Sequence, residues 1–484
     1  MDKLSSKIAA KKQLPEKVLQ FGEGNFLRAF VDYMIDLLNC EGMFGGSVVL
    51  VQPIENGLAK QINEQDGLYT VLLRGLENGK VVDKHHTVTS ISRAINPYDD
   101  FDAYMACAKN PDLRFIVSNT TEAGIVYAEG DTLDCKSQKS FPAKVTAFLY
   151  ERFKAFNGDA SKGFVFLPCE LIDNNGTELH KIVLRYAEEW ALSAEFINWI
   201  ETANYFTNTL VDRIVTGYLK AEEEEIWQQI GYRDDLFTIG EVFHFWAIEY
   251  PNKPGAEKLS EELPFSKIGL NVEWTNDVVP YKARKVRILN GAHTASVLAA
   301  FLAGKQTVGE MMEDAKFEKY LRELLFDEVI PTITKYLPLD DLTAFANSVF
   351  DRFKNPYVKH YLLSIALNSV SKYKARVLPS IMDYYEQKKE LPKNLTFSMA
   401  ALIAFFRPGD GHTPQDDAYV LEHFSSAWPS CKGSEMDVSV LVSNTLANTR
   451  LWGENLAKIP GFADKVTEHL HNILTVGAYE AMPK

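Results

Sequence analysis

Residues 17–30 read KVLQFGEGNFLRAF, and this stretch decides the fold of the first half of the chain. Residues 17–20 form a short run typical of a strand, and two glycines, Gly22 and Gly24, follow at once. Beyond them VDYMIDLLN continues with apolar residues at helical spacing. The stretch therefore predicts a strand, a glycine turn and a helix in immediate succession.

A strand, a GxG turn and a helix are how a dinucleotide-binding βαβ unit begins. Gly22 would permit the tight turn, and Gly24 would let backbone N–H groups at the helix N-terminus approach a pyrophosphate. Leu27 stands where the usual third glycine is expected, and a plain strand-to-helix turn explains the pattern equally well. On the dinucleotide interpretation, cofactor contacts are predicted along the whole turn, at Leu19, Gln20, Phe21, Gly22, Glu23, Gly24, Asn25, Phe26, Leu27, Arg28 and Ala29.

The ends of the next strands carry further candidate cofactor contacts. Residues 47–52, SVVLVQ, predict a second strand, and Glu55 just after it is the candidate acid for the adenosine ribose. No arginine lies close by to hold a 2′-phosphate, which favours NAD over NADP, although Glu55 could equally be a solvated turn residue. Strand 114–118 ends in Asn119 and Thr120, which would face the nicotinamide because ligands bind at the carboxyl ends of strands.

The remaining pattern divides the chain into two parts. A hairpin is predicted over residues 67–82, a helix over 143–156 and a strand over 163–168, whereas residues from 179 to about 215 read as mostly helical. Beyond residue 275 the chain is a series of amphipathic segments. We therefore predict an α/β Rossmann-type dinucleotide-binding domain with insertions over residues 1–275, followed by an all-α substrate and catalytic domain over residues 276–484.

Composition restricts the class of partner. The 484 residues are 46% hydrophobic with a formal net charge of -14, which argues against nucleic-acid or anionic-membrane binding and favours a small-molecule ligand. Five scattered cysteines suggest reduced thiols in a cytosol, and no apolar run approaches the roughly 20 residues of a membrane span. Adjacent histidines, His85 and His86, point in different directions on a strand, so a solvated or structural role is favoured over metal ligation. The chain is expected to be soluble and cytoplasmic, and a monomer is plausible.

A second stretch, YKARKVRILNGAHTAS over residues 281–296, predicts a helix that gathers Lys285, Asn290 and His293. At 3.6 residues per turn these three side chains fall within about 140° of one another. A lysine beside an amide and an imidazole offers a proton acceptor, a group to hold a carbonyl oxygen and a substrate hydrogen-bonder. The alternative is a basic helix with a solvated lysine and a histidine satisfied in the core.

A basic segment follows in this acidic chain. Residues 351–376 hold six lysines and arginines and one histidine against a single acid, Asp351. Either this is a solvated helix face, or some of its cations bind a substrate carboxylate, with Lys359 and Lys372 as the candidates beside apolar helical runs.

Several motifs together resemble the long-chain mannitol dehydrogenase family. They are Gly22-x-Gly24-x-Phe26-x-Arg28-Ala29, the run from Asp66 to Thr70, Asn208-x-x-x-Asp212-Arg213-Ile214, Lys285-x4-Asn290-x2-His293 and Arg352-Phe353-x-Asn355-Pro356. The resemblance covers nearly the whole chain. It implies an NAD-dependent oxidoreductase without a catalytic metal, acting on a CH–OH group.

The resemblance also implies residue roles and a substrate class. Lys285 would be the general acid/base, Asn290 would hold the reacting oxygen, and His293 and Asp212 would contact substrate. The family uses a strand-end asparagine as a second donor to that oxygen, but Leu171 stands there in this chain, so Asn174 or Asn175 would have to substitute. Within the family the chain resembles most the members that interconvert keto-uronates and aldonates, with a fructuronate-type or mannitol-type specificity as the alternative.

Two other classes of protein remain open on the residues alone. A nucleotide-binding module would bind NADH without turnover, and an aldolase- or decarboxylase-like enzyme would use Lys285 as a Schiff base without needing a nicotinamide. The GxG turn argues against the second, and the number of matching motifs argues against the first.

Overall fold

A computed structural model describes residues 1–409 and 411–484, and these residues form two compact units. Unit 1 comprises Met1–Arg74 and Val81–Val278, and unit 2 comprises Gly75–Lys80 and Val279–Lys484.

The strands are numbered in chain order. They are β1 (Glu16–Phe21), β2 (Ser47–Val51), β3 (Tyr69–Glu77), β4 (Lys80–Val88), β5 (Ile91–Ile95), β6 (Phe115–Ser118), β7 (Val165–Pro168), β8 (Tyr205–Phe206), β9 (Asn208–Asp212), β10 (Val215–Gly217), β11 (Thr238–Gly240), β12 (Phe245–Glu249) and β13 (Val272–Thr275).

Six of these strands form one parallel sheet in the order β5-β2-β1-β6-β7-β8. From β1 the chain builds outward through β2 and β5 on one side and through β6, β7 and β8 on the other. The order therefore reverses between β1 and β6, and such a switch point is where doubly wound sheets bind ligands. The predicted strand and glycine turn at residues 17–24 lie at this point.

Parallel strands covered on both faces are expected to be continuously apolar, and β2 is an example, since every residue of SVVLV is buried. Its side chains alternate between two cores. Val48 and Leu50 belong to the core that also holds Phe30 and Trp246, whereas Val49 and Val51 belong to the core that holds Phe148. The sheet is thus a buried central layer.

Unit 1 has nine helices. They are α1 (Asn25–Leu27), α2 (Tyr33–Cys40), α3 (Ala59–Glu64), α4 (Phe101–Ala106), α5 (Phe141–Ala155), α6 (Asn175–Glu189), α7 (Ala194–Ala203), α8 (Glu223–Ile230) and α9 (Leu259–Glu262). Of these, α8 packs against the four-stranded sheet described below. A π-helical segment, Arg28–Asp32, joins α1 to α2 without a break, and five single turns of 3₁₀ helix lie at Cys107–Lys109, Ala160–Lys162, Lys220–Glu222, Ala256–Lys258 and Phe265–Ile268. Ser140 begins α5 by accepting a hydrogen bond from the Ala143 N–H, with Pro142 in the first turn.

The prediction of helix over residues 205–215 is wrong. This segment holds β8, β9 and the start of β10, and β9 pairs antiparallel with β12 from Asn208 opposite Glu249 to Asp212 opposite Phe245. With β13 they form a three-stranded sheet, and β10, β11, β3 and β4 form a four-stranded one. Non-local pairing decides this segment, because its apolar spacing is too short to separate strand from helix.

The described residues between 279 and 484 are mainly helical. The helices are α10 (Val279–Arg284), α11 (Gly291–Leu302), α12 (Val308–Glu313), α13 (Ala315–Glu323), α14 (Ile330–Ile333), α15 (Leu339–Phe353), α16 (Leu362–Ile365), α17 (Ser369–Arg376), α18 (Leu378–Lys388), α19 (Lys393–Phe405), α20 (Ala418–Ala427), α21 (Glu435–Ala447), α22 (Thr449–Trp452), α23 (Phe462–Val476) and α24 (Ala478–Ala481). The described part of unit 2 also contains two π-helical segments, Lys285–Asn290 and Leu324–Val329, and two 3₁₀ turns, Trp428–Ser430 and Leu456–Lys458.

The core of unit 2 surrounds α11 and α19, because Ala292 to Ala300 of α11 and Asn394 to Phe405 of α19 are buried almost without interruption. The predicted fold class, a Rossmann-type α/β region followed by an all-α region, is confirmed. Over the residues that the structure describes, no helix is long and apolar enough to cross a membrane.

Candidate active site

The glycine turn after β1 has a conformation that only glycine accommodates. Gly22 has φ +116°, and a Cβ built on it would lie 2.8 Å from the carbonyl oxygen of Asn119. The turn is held to both neighbouring strands, because the Gly22 N–H donates to Val51 and the Asn119 N–H donates to Phe21. Residue 22 therefore sets how closely the ends of β1 and β6 approach.

Gly24 differs, because nothing lies within 4 Å of a Cβ built on it. It is the N-cap of α1, which continues through the π-helical segment into α2, so the helix that begins here runs from residue 25 to 40. Open space at the N-terminus of a helix, beside a residue without a side chain, suits a pyrophosphate. The residues present therefore fit a dinucleotide.

Most of the predicted cofactor side chains in residues 19–29 are part of the protein interior. Leu19, Phe21, Leu27 and Ala29 are at most 1% exposed and belong to the two cores. Phe26 is half-buried and stacks on Phe30. These side chains shape the turn, and the prediction that their residues contact the cofactor stays a prediction that only backbone atoms could satisfy for the buried ones.

The polar side chains of the turn are also largely engaged. Arg28 is buried and donates to the Glu23 carbonyl at 3.1 Å and to the Asn25 side chain at 2.7 Å. Gln20 donates to the Gly22 carbonyl at 3.0 Å and to Asp32 at 3.1 Å. Arg28 and Gln20 therefore stabilise the turn, and contacts of their side chains with a cofactor stay a prediction.

The loop after β2 is shaped by two buried side chains. Glu23 accepts from the Leu58 N–H at 3.1 Å, and burial raises the pKa of its carboxyl group. Gln52 donates to the carbonyls of Ile54 and Glu55, both at 2.9 Å. The Glu55 side chain is exposed, so a ribose contact for it stays a prediction.

Glu170 joins the ends of β6 and β7. It is 2% exposed and accepts from the Ser118 hydroxyl at 3.0 Å and from both the N–H and the hydroxyl of Thr120 at 2.9 Å. Asn119 donates from its side chain to the Cys169 carbonyl at 3.0 Å. Burial raises the pKa of Glu170, and these donors oppose that rise. Sequence reasoning did not select Glu170 as a residue that positions Asn119 and Thr120.

Asn174 and Asn175 are the candidates to replace the asparagine that is missing at Leu171, a residue that is 59% exposed. The amide group of Asn175 donates to the carbonyls of Pro168, Glu170 and Thr209, and its oxygen accepts from the N–H groups of Gly176 and Thr209. Because these bonds use its whole side chain, Asn175 anchors the loop, and its predicted contact with substrate is not supported. Asn174 takes a left-handed conformation, φ 54°, at the N-cap of α6.

Asp212, the other candidate substrate contact in unit 1, is the last residue of β9 and is buried, at 4% exposure. Its predicted contact with substrate stays a prediction.

In unit 2 the predicted catalytic helix is continuous from Val279 to Leu302, but Lys285 to Asn290 is π-helical. In a π-helix the backbone bonds join residues five apart, so Lys285 and Asn290, which are five apart, point in more similar directions than an α-helix would allow. Both are partly exposed, whereas His293 is buried. Isolated π segments of this kind recur at functional sites.

His293 is a neutral imidazole among cations. Its ring packs on Phe353, with centroids 4.1 Å apart, and meets His360 edge-on at 5.1 Å. Burial lowers its pKa well below the usual value, and the charges of His360, Arg352, Arg376 and Lys372 lower it further. Among the described residues its Nδ1 has no hydrogen-bond partner, so this nitrogen can bond a substrate oxygen.

The cations near His293 come from the basic segment predicted to bind a carboxylate. Arg376, at the end of α17, approaches the Thr294 hydroxyl at 3.5 Å, and its carbonyl oxygen would lie 3.3 Å from a Cβ on Gly291. Gly291 thus lets α17 approach α11 closely. Lys372 donates to the Ile365 carbonyl at 2.9 Å, and its pKa is lowered by burial and by Arg376.

Lys359, by contrast, is exposed and is not among the charges that act on His293. Lys372 therefore acts electrostatically on His293, whereas Lys359 is exposed, and a substrate contact stays a prediction for both. Arg352, His360 and Arg376 were not among the predicted substrate contacts, although Arg352 stands in one of the family motifs. Their signal in the sequence was membership of the basic segment, which does not reveal which members point inward.

Two features of this chain are typical of a dehydrogenase. Unit 1 has a Rossmann-type sheet with a glycine turn at its switch point. Unit 2 carries a lysine, an amide and a neutral imidazole on one helix. The family model described as "Mannitol dehydrogenase Rossmann domain" matches residues 16–261. The family model described as "Mannitol dehydrogenase C-terminal domain" matches residues 277–474. The chain belongs to the mannitol dehydrogenase family. The predicted family and the predicted class, an oxidoreductase, are confirmed.

Several relatives are similar to this chain over nearly their whole length. Proteins named altronate oxidoreductase are 47% identical in Bacillus subtilis (strain 168), over 97% of this chain and 95% of the relative, and 46% identical in Pectobacterium carotovorum subsp. carotovorum (strain PC1), over 97% of both. The one from Shigella flexneri is 45% identical over 97% of both chains.

Two solved structures share the fold. A D-sorbitol dehydrogenase in substrate-free form has a TM-score of 0.81 at 20% identity, covering 99% of this chain and 100% of that one. A Pseudomonas fluorescens mannitol 2-dehydrogenase, solved in a ternary complex with NAD and D-mannitol, has a TM-score of 0.66 at 22% identity, covering 97% and 94%.

Proposed function

We propose that this chain interconverts D-altronate and D-tagaturonate with NAD, as the names of its relatives suggest. The observation that carries the proposal is the set of positive charges around His293. Arg352, Lys372 and Arg376 act on one buried, neutral imidazole that lies eight residues after Lys285 on the same helix. A neutral ketose or polyol offers these cations only hydroxyl and carbonyl oxygens, whereas a hexonate also offers a carboxylate, which forms stronger charge-assisted hydrogen bonds.

Lys285 is proposed as the general acid/base. In the oxidative direction it takes the proton from the substrate hydroxyl as the carbon loses a hydride, and in the reductive direction it returns that proton to the carbonyl oxygen. Asn290, which the π-helical segment brings towards the same side, is proposed to hold this oxygen. The Nδ1 of His293 is proposed to bond a neighbouring substrate hydroxyl.

Residues 1–275 are proposed as the dinucleotide-binding part and residues 276–484 as the substrate and catalytic part. When bound, NAD accepts or supplies the hydride at its nicotinamide. Gly22, Gly24 and the backbone N–H groups that follow would hold its pyrophosphate, and Glu55 would bond the adenosine ribose and disfavour a 2′-phosphate. Asn119 and Thr120, fixed by Cys169 and Glu170, would border the nicotinamide.

The five cysteines are all free thiols, which supports a further proposal that the chain acts in the cytoplasm.

The test is NADH consumption by the purified full-length chain with tagaturonate, fructuronate and fructose. Tagaturonate should exceed fructose at least about tenfold in kcat/KM, since a charge-assisted contact is worth about 1.5–3 kcal/mol. A preference for fructuronate would correct the stereochemistry alone. Equal use of fructose, or NADH binding without turnover on any of the three, would refute the proposal.

A further inference from the structure

One cluster of metal-binding side chains in unit 1 has no part in the proposed reaction. Asp36 and Cys40 are four residues apart on α2, so both lie on one face of the helix, and His86 reaches them from β4. One carboxylate oxygen, the thiol sulfur and one imidazole nitrogen all lie within 4.8 Å of one another. The three groups are thus already collected at one point.

The Asp36 carboxylate is held in place from the protein side. Its Oδ1 accepts from the Thr89 N–H at 2.8 Å and from the Thr89 hydroxyl at 2.9 Å, while its Oδ2 lies 2.6 Å from His86 Nε2. The His86 ring packs edge-on against Tyr33, with centroids 5.5 Å apart. Outer contacts of this kind orient the ligands of metal sites and raise their affinity.

The cluster is accessible from solvent. The side chain of Asp36 is only 2% exposed, but that of His86 is 28% exposed and Cys40 is exposed. An ion could enter from the Cys40 side, and a water molecule could complete its coordination. Burial raises the pKa of the Cys40 thiol, Asp36 and Glu41 raise this pKa further, and Lys12 opposes the rise.

We propose that Asp36, Cys40 and His86 form a binding site for a divalent cation of the zinc type. One thiolate, one imidazole and one carboxylate, with an open fourth position, form a donor set that Zn²⁺ accepts in tetrahedral geometry. Bond lengths of about 2.0–2.3 Å place such ligand atoms about 3.3–3.6 Å apart. Binding therefore replaces the hydrogen bond between His86 and Asp36 and moves His86 Nε2 and Asp36 Oδ2 apart by less than about 1 Å. It also draws the Cys40 sulfur closer to them by up to about 1 Å.

On binding, the Cys40 thiol loses its proton to solvent, and the sulfur, nitrogen and oxygen atoms each donate an electron pair to the ion, with no change of oxidation state. The ion would tie α2 to β4, two elements far apart in sequence. It would thereby stabilise the region behind the glycine turn.

The test uses Co²⁺ as a spectroscopic probe on the full-length chain, purified without a histidine tag and freed of metal by a chelator. One equivalent of Co²⁺ should produce a thiolate-to-cobalt charge-transfer band, which Zn²⁺ should abolish by displacement. Zn²⁺ should also raise the melting temperature, because an ion that binds only the folded state stabilises it.

Variants locate the site. Cys40→Ser should remove the charge-transfer band, and His86→Gln should weaken Co²⁺ binding at least about tenfold, as should Thr89→Val by freeing the Asp36 carboxylate. The matched controls are His85→Gln, the exposed neighbour on the same strand, and Cys135→Ser, another free cysteine; both should bind as the natural chain does.

If the chain does not bind Co²⁺ at millimolar concentration, His86 and Asp36 form only a hydrogen bond, and the proposal is overturned. So would a band that survives Cys40→Ser, or affinity unchanged in His86→Gln. Because none of these readouts uses substrate or nicotinamide, they are independent of the proposed function.

Discussion

Removing two cations beside His293 should convert the preference for a charged substrate into near indifference. Lys372→Met and Arg376→Met each keep a long apolar side chain and lose the charge. If either cation makes a charge-assisted bond to the substrate carboxylate, its loss costs about 1.5–3 kcal/mol of transition-state binding. At 1.36 kcal/mol per factor of ten, kcat/KM for tagaturonate should fall roughly 10- to 150-fold.

Uncharged fructose serves as the internal reference, because its kcat/KM should change little in the same variants. The tagaturonate-to-fructose ratio therefore isolates the carboxylate contact from general damage to the site. Added salt should lower this ratio in the natural chain, since screening weakens attraction between partly exposed charges.

The same helix offers a matched control in Lys374, which is exposed and two residues from both targets. Lys374→Met should leave the ratio unchanged, and Lys359→Met should do the same because Lys359 is exposed. Melting temperatures identify folding defects, which are expected to be small for Lys372→Met because it loses one bond, to the Ile365 carbonyl, and an attraction to Asp416. A ratio that stays constant in both target variants would refute the assignment of the carboxylate site.

Four further predictions test individual residues. Lys285→Ala should lower turnover by at least about 10²–10⁴-fold while NADH affinity measured by fluorescence titration barely changes, and near-normal turnover would refute its role as acid/base. Glu55→Ala should narrow the preference for NADH over NADPH, and a natural chain that prefers NADPH would contradict the ribose contact. Gly22→Ala places a methyl group 2.8 Å from the carbonyl oxygen of Asn119, at a residue whose φ is +116°. The resulting strain of about 1–3 kcal/mol should lower the melting temperature and weaken NADH binding. A variant with the melting temperature and NADH affinity of the natural chain would contradict this. Burial raises the pKa of the Glu328 carboxyl group from 4.5 to about 7, so the folded protein retains a proton that the unfolded protein loses. The stability that this group contributes is therefore full below pH 4.5 and falls by about 3 kcal/mol as the pH rises through 7. Over that interval the melting temperature of Glu328→Gln should rise relative to that of the natural chain.

The sequence was sufficient for features that depend on neighbouring residues. β1, the turn at Gly22 and the helix that follows are specified within 25 residues, by apolar spacing and by glycines that permit a tight turn. The helix carrying Lys285, Asn290 and His293 was likewise predictable from its spacing. So was the division into an α/β and a helical region, because long periodic segments carry a strong local signal.

The sequence did not predict the strands that depend on distant partners. β5, an edge strand of the parallel sheet, was not predicted, and β8 and β9 were assigned to helix. β8 and β9 are short segments of mixed composition, and they are extended because β7 and β12 supply their hydrogen bonds. Those partner strands are tens of residues away in the sequence. A π-helical turn at Lys285 also lies outside what an ideal helical wheel describes.

Tertiary structure alone decided what surrounds each functional group. The sequence shows a basic segment, but only the packing of α17 against α11 at Gly291 selects Arg376 and Lys372, and not Lys359, as neighbours of His293. Burial then makes that histidine neutral. Likewise Asp36 and Cys40 are related by helical spacing, whereas His86 joins them only when β4 lies beside α2. Spacing along the chain determines which face a side chain occupies, but charge, burial and ligand geometry depend on the elements that pack against that face.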